Sequence, residues 1–417
     1  MHNIFKRFAF GIITLSIQQA HALPAVTEYP TASALYGDRT LSAFYQWNEK
    51  VPFQAGLLLR SEPLEERIRL AQADQQYRIL FTSTDGMDGH SPRIVSGSLF
   101  IPKGNPPAGG WPLMVWGHGS VGMADQCAPS WAGRVYRNAD YLNQWLKKGF
   151  AIVEADYQGL GVAGPHWLIN IPQLSYNVLD SARAALKSNH QIANKIIIAG
   201  QSQGGAAAFG AASYAASYAP DLNIKGTIAT GVIYQSRQNQ APTLVQANPN
   251  IPNPALAYQI LKFYVLQQYD PTLKVSEVFK TKAIPLVEHE RSQCIPQIFS
   301  DVAFEKLSFA DALLDKPSEK YLNLQRQFNQ KYGHYPTLKI AHPVFIGTGA
   351  EDKTPDARSQ MALVKDACQQ GTRVQAHLYH GHGHSEAVPR SFPDAILFAQ
   401  QALNDEPIPH VCSINFK

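Results

Sequence analysis

The chain has 417 residues, 45% of them hydrophobic and 16% charged, with a formal net charge of +4. Those values exclude a disordered or fibrous chain and leave room for one large domain with an insertion, or for two domains. Lys6 and Arg7 carry two of the four net charges, so nothing in the balance calls for nucleic acid or an anionic membrane as a partner.

The N-terminus reads as a secretory signal over residues 1–22. Lys6-Arg7 form a basic start, residues 8–17 a short apolar core, and Ala20-His21-Ala22 a small-x-small cleavage site. The apolar run is too short to span a bilayer, and no later stretch reaches that length. The expected location is therefore periplasmic or secreted, a compartment that permits disulfides. Four cysteines remain after processing, Cys127, Cys294, Cys368 and Cys412. Their even number favours two bridges among three open pairings, and no C-x-x-C or His-bearing pattern suggests a metal. A Cys127–Cys294 bridge would tether two segments distant in the chain, and a Cys368–Cys412 bridge would pin the C-terminal tail.

Residues 23–75 read as an N-terminal arm packed on the main body, with a helix-like stretch over 64–73. Residues 76–231 read as the first part of a core. Strands are expected over 77–82 and 93–101, joined by Asp85-Gly86 and Asp88-Gly89, as an antiparallel edge. A buried strand over 112–116 leads into Gly117-His118-Gly119-Ser120-Val121-Gly122. A helix over 141–148 and a strand over 150–155 follow, then Asp156-Tyr157-Gln158-Gly159-Leu160-Gly161 and a helix over 177–188. The β-branched run Ile196-Ile197-Ile198 ends in Gly200-Gln201-Ser202-Gln203-Gly204, a small-residue helical segment comes next, and 224–230 is another strand. Short apolar runs alternating with helices indicate a mainly parallel sheet covered on both faces.

That alternation stops at residues 232–338, which read as an inserted, mostly helical cap or lid. Helices are expected over 255–269, 275–279, 301–313 and 321–332, because a structureless loop of this length is implausible. Core alternation resumes over 339–417, with strands at 343–346 and 374–379 and helices at 357–370 and 393–403.

G-x-S-x-G between a strand and a helix is the setting of a nucleophile elbow, although a glycine-rich turn that merely contains a serine gives the same pentapeptide. A serine hydroxyl needs a histidine to take its proton and a carboxylate to hold that histidine in one tautomer, in the chain order Ser, Asp/Glu, His. Asp352, following a late strand through Gly347-Thr348-Gly349-Ala350-Glu351, fits the acid, with Glu351 as competitor. In Tyr379-His380-Gly381-His382-Gly383-His384, the last histidine has the most room to curl over the serine, so His384 is preferred over His382 and His380. A metal site on the alternating histidines is the rival reading. The oxyanion hole is expected from the backbone N–H of Gln203 and one from the early loop, with Ser120 preferred over Gly119 or Gly122. His118 is expected only to shape that loop.

Several blocks in this order resemble the secretory lipase family of α/β-hydrolases, which includes the lipase A type of Candida and exported bacterial esterases. They are Gly56-Leu57-Leu58-Leu59-Arg60, His118-Gly119-Ser120-Val121-Gly122 with Cys127-Ala128-Pro129-Ser130, and Asp156-Tyr157-Gln158-Gly159-Leu160-Gly161. Asp180-Ser181-Ala182-Arg183-Ala184, Gly200-Gln201-Ser202-Gln203-Gly204-Gly205 and Gly383-His384-Ser385-Glu386-Ala387-Val388 complete them. The resemblance implies an α/β-hydrolase fold, a cap between the sixth and seventh core strands, and a cofactor-free, metal-free serine esterase or lipase. It places the nucleophile at Ser202, the acid at Asp352 and the base at His384, and pairs Cys127 with Cys294 and Cys368 with Cys412. The expected substrate is a small-molecule or lipid ester, with transient contact between the cap and a lipid interface. A peptidase or amidase on the same triad, or a non-catalytic binding protein of the same fold, is the alternative.

Overall fold

Short β-branched runs supply the centre of the molecule. The computed structural model describes residues 41–189, 191–236 and 249–413; the expected signal at residues 1–22 lies outside the described residues. β1 (Leu58–Pro63), β2 (Ala73–Thr84) and β3 (Pro92–Pro102) form an antiparallel edge. β4 (Trp111–Gly117), β5 (Ala151–Ala155), β6 (Ile192–Gln201), β7 (Ile224–Thr230), β8 (Val344–Gly349) and β9 (Val374–Tyr379) pair in parallel. The sheet order is β1-β2-β3-β5-β4-β6-β7-β8-β9, with β3 antiparallel to β5.

The helices are α1 (Pro129–Ala132), α2 (Tyr136–Lys147), α3 (Ile171–Ser188) and α4 (Gln203–Tyr218), then the cap helices α5 (Leu256–Tyr269), α6 (Ile284–His289), α7 (Ile295–Phe304), α8 (Phe309–Ala312) and α9 (Glu319–Tyr332), and finally α10 (Ala357–Gln369) and α11 (Ala387–Leu403). Alternation along the strands sorts their side chains to two faces. Leu113, Val115, Ile196 and Ile198 meet Leu174 and Val178 of α3 and Ala207 and Ala211 of α4. Met114, Trp116, Ile197 and Phe345 meet Tyr141 and Trp145 of α2 and Phe392 and Phe398 of α11. Leu363 and Val364 of α10 pack with Phe209 and Ile346 on the first face. The cap keeps a core of its own, built on α5 and on Leu324, Phe328 and Tyr332 of α9, and shares it with Trp167 and Leu168 of the main body.

Four expectations change. Residues 64–73 form only a short 3-10 turn, Glu66–Ile68. Gln76 captures both polar groups of the Leu70 backbone, at 2.7 and 2.9 Å, and holds the stretch out of a helix. The block 56–60 leads into β1, an added edge strand, so among the nine described strands the insertion follows the seventh, which is the sixth of the core as expected. The helix expected over 301–313 is two helices, because Ser308 caps α8 by accepting the Asp311 N–H at 3.0 Å. The segment expected as a helix over 275–279 is a 3-10 turn, Val275–Glu277. The last helix starts at Ala387 and carries Pro393 within it, six residues earlier than a proline read as a helix start implies.

β6 and α4 cross the end of β4 at backbone contact. A Cβ on Gly200 would overlap the Gly204 carbonyl, and one on Gly204 would overlap the Gly117 carbonyl. Gly200→Ala should therefore destabilise the fold by about 3 kcal/mol, as overpacking against an unyielding backbone does. Urea denaturation checks this, and a change below about 1 kcal/mol would contradict the close crossing.

Candidate active site

Each residue proposed for the chemistry sits at or just beyond the C-terminal end of a parallel strand, where open α/β sheets place their ligands. Ser202 follows β6 directly, with φ 62° and ψ −120°, a conformation that costs energy for a residue bearing a side chain. Its N–H is tied to the Thr230 carbonyl at 2.9 Å, and its side chain is nearly buried. Among the described residues the Ser202 hydroxyl makes no hydrogen bond.

Asp352 follows β8 and is buried, whereas Glu351 is exposed. The Thr354 N–H donates to Asp352 Oδ1 at 2.8 Å and Gln360 Nε2 to Oδ2 at 2.8 Å. His384, in the loop after β9, places Nδ1 2.8 Å from the same Oδ2. A carboxylate there holds the Nδ1–H tautomer and leaves Nε2 with a free lone pair. His380 is exposed, and the carbonyl of His382 instead accepts the Glu351 N–H at 3.0 Å. Of the three histidines, His384 alone reaches the acid.

Nε2 of His384 faces Gln201, whose side-chain amide lies 2.9 Å away. Gln201 Oε1 in turn accepts from Arg137 Nη2 at 3.3 Å. Arg137, Gln201, His384 and Asp352 thus form one chain of hydrogen bonds beside the serine. Neither Gln201 nor Arg137 is given a role by the sequence. The pentapeptide marks position 201 as variable, so no signal was available for it. Gly231, at the end of β7, was missed as well. It has φ 55°, and a Cβ there would lie 2.7 Å from His384 Cε1 and 2.9 Å from Nδ1. No local signal marks it.

Gln203 opens α4, so its N–H has no acceptor within the helix. Its side chain is fully buried, donates to the Leu168 carbonyl at 2.6 Å and contacts His166 Nε2 at 3.1 Å. His118 is buried with its ring nitrogens on the backbone carbonyls of Gly119 and Asp156, at 2.7 and 3.1 Å. Burial lowers its pKa. Both features suit a residue that shapes the loop. Cys127–Cys294 joins that loop to the cap, and Cys368–Cys412 holds the tail. The Ile295 N–H adds a bond to the Val121 carbonyl at 2.7 Å.

Two cavities meet at Ser120, Ser202 and Tyr258. One, of about 280 Å³, runs under the cap between Trp167, Leu168, Ile233, Val265 and Phe328. The other, of about 590 Å³, is bordered by His384, Ser385, Arg137, Asn138 and Phe299. His384 opens only onto the second.

With this geometry in hand, the family follows from comparison. The family described as secretory lipase matches residues 135–410, more than half of the chain, and the protein belongs to it. The chain is 30% identical over 190 residues to a Mycobacterium tuberculosis protein named "Probable inactive lipase MT1628", a match covering 42% of this chain and 41% of that one. It thus spans less than half of that relative's length. Candida antarctica lipase A in its closed state is similar with a TM-score of 0.66 at 19% identity, over 88% of this chain and 87% of that one. The rice cell wall degrading esterase LipA from Xanthomonas oryzae, in a ligand-bound form, gives 0.66 at 17% identity, over 85% and 100%. The fold is the α/β-hydrolase fold.

Removing the bridge between loop and cap, with Cys127→Ala and Cys294→Ala together, should lower stability by about 2–5 kcal/mol, because the bridge closes a long loop. Chemical denaturation of the double variant measures it; an unchanged midpoint would show that the cap is held without the bridge.

Proposed function

We propose that this protein is an exported serine carboxylic-ester hydrolase, a lipase or esterase. The observation that carries the reading is the His384–Asp352 pair at 2.8 Å beside a serine held at φ 62° on the strand–helix turn. Ser202 Oγ attacks the ester carbonyl carbon while its proton passes to His384 Nε2. The carbonyl oxygen becomes an oxyanion, held by the N–H groups of Gln203 and Ser120. The tetrahedral centre collapses, the C–O bond breaks, and His384 returns the proton to the leaving alcohol. Water then repeats the sequence on the acyl-enzyme, and Asp352 stabilises the imidazolium in both halves. No cofactor takes part in this scheme.

The general acid must stand beside the leaving oxygen, and that requirement assigns the cavities. The alcohol lies in the cavity bordered by His384, and the acyl group in the one under the cap. Gln201 occupies Nε2 of His384 in this resting arrangement, so its amide swings away as Ser202 engages the base. Catalytic hydrogen bonds in ligand-free sites often close only with substrate. The family's description and the two disulfides support export, with residues 1–22 as the signal. Phe304 and Ile251, exposed on the cap side of the chain, are apolar groups that a lipid interface would meet.

Gln201 on the base and the name of the mycobacterial relative also favour a second reading, a catalytically silent protein of the same fold. Fluorophosphonate labelling separates the two, since only an activated serine reacts. Labelling and p-nitrophenyl ester hydrolysis are expected in the native protein, with a loss of at least about 10³-fold in Ser202→Ala. Equal turnover in that variant, with its melting curve unchanged, would remove the serine mechanism. Gln201→Ala, which clears Nε2, should raise the rate of labelling severalfold; a drop would mean that Gln201 holds the base in place.

A further inference from the structure

The cap cavity carries a charge that an acyl pocket for plain fatty chains does not need. Tyr258, Gln259, Lys262, Val265 and Leu266 of α5 line it at three- and four-residue spacing, so they form one face of that helix. Lys262 sits in the middle of this stripe, between the buried Leu261 and Phe263. Among the described residues its ammonium has no hydrogen bond and no ion pair. None of the described residues bordering the cavity is an aspartate or a glutamate. Arg326, the other cation there, is half-exposed and lies 3.9 Å from Glu319, so among the described residues Lys262 alone lines the cavity with no carboxylate in reach.

Lys262 is half-buried on the cavity wall, and its partial removal from water without a partner pushes its pKa down to about 8. The free energy lost there is recovered if the ligand brings the counter-charge. Tyr258 stands one helical turn before Lys262 and borders both cavities next to Ser202. The charge is thus set along the acyl path, away from the reacting carbonyl.

Resting on the ester-hydrolase reading above, we propose that Lys262 is a specificity-determining residue for acyl groups that end in a carboxylate. The substrate class is then a half-ester of a dicarboxylic acid, with the free carboxylate on Lys262, the ester carbonyl at Ser202 and the alcohol on the His384 side. The chemistry at the ester is unchanged; Lys262 takes part in no bond making or breaking.

The test compares mono-p-nitrophenyl esters of adipic, suberic and azelaic acids with the p-nitrophenyl esters of equal length that end in methyl, each corrected for the rate with Ser202→Ala. At one length or more, the native protein is expected to favour the carboxylate over its methyl partner by at least about tenfold in kcat/KM, the worth of one charge-assisted bond. Lys262→Met should lose that preference mainly through KM and hydrolyse the methyl-ended esters as well as the native protein or better. Lys262→Gln serves as a second variant if the methionine form does not fold. A preference for the methyl-ended ester at every length, or a carboxylate preference that survives in both variants, overturns the proposal. If no ester of either series is hydrolysed, the ester-hydrolase reading fails by itself. Calorimetric binding of free suberate to the Ser202→Ala protein, with and without Lys262→Met, then decides the lysine's role: binding that depends on Lys262 supports it, and absent or unchanged binding overturns it.

Discussion

The geometry of the site depends on one backbone crossing. β4, β6 and the start of α4 approach so closely that Gly117, Gly200 and Gly204 touch through main-chain atoms, with no room for a Cβ at 200 or 204. The crossing forces the chain to turn within one residue, and Ser202 takes the strained φ of 62° as a result. The same turn lifts the serine above the strand ends and leaves the Gln203 N–H without an acceptor inside the helix. The strain at Ser202 and the unpaired N–H of Gln203 are two consequences of a single packing constraint.

The loops around this crossing are held by buried polar groups. Asp156, after β5, accepts from the Ser96 hydroxyl at 2.6 Å, from the Ser130 N–H at 2.9 Å and from the Ser130 hydroxyl. Burial raises its pKa, and those donors offset part of that cost. It binds the Asp156–Gly161 and Cys127–Ser130 blocks together, and with them the loop that carries Ser120. Asp180 plays a parallel part in α3, accepting from Ser83 and Tyr218, each at 2.7 Å, and from Arg183 at 2.9 Å. Arg183 also packs under Gly56. The blocks that carried the family resemblance are thus pairs in contact, distant in sequence and adjacent in space.

How much of this was legible follows from where the information lies. Residues 196–204 carry their own instructions, because β-branched runs and glycine spacing are local signals; β7 and β9 fall on their expected bounds, while β6 begins four residues before 196 and β8 runs three beyond 346. The stretch at 64–73 has helical spacing, but its backbone is claimed by Gln76 from a neighbouring strand, and that contact is invisible in a local window. Pro393 misled for the opposite reason, since a strong local signal for a helix start is overridden by packing against Phe345 and Ile228. Asp352 and His384 could be named from chain order. Gly231 and Gln201 could not, because their roles exist only once three strand ends converge. The cap was legible as an insertion, while the line of side chains that α5 turns to the cavity was not.

The division between core and cap has a physical logic. The core residues that would do the chemistry are held by short backbone contacts and buried hydrogen bonds, so they tolerate little change. The cap meets them through an apolar cluster shared with Trp167 and Leu168, a disulfide, a backbone bond to the Val121 carbonyl and side-chain bonds such as that from Gln268 Nε2 to the His166 carbonyl at 3.1 Å. Side chains on the cavity face of α5 can therefore vary without disturbing the elbow. A lysine at 262 costs the cap an unpaired charge and leaves Ser202, His384 and Asp352 untouched. Such a charge contributes nothing to the fold that an apolar residue of similar size would not supply at lower cost. On the proposed reading its value lies in what enters the cavity, and substrate selection is then a property of the insertion.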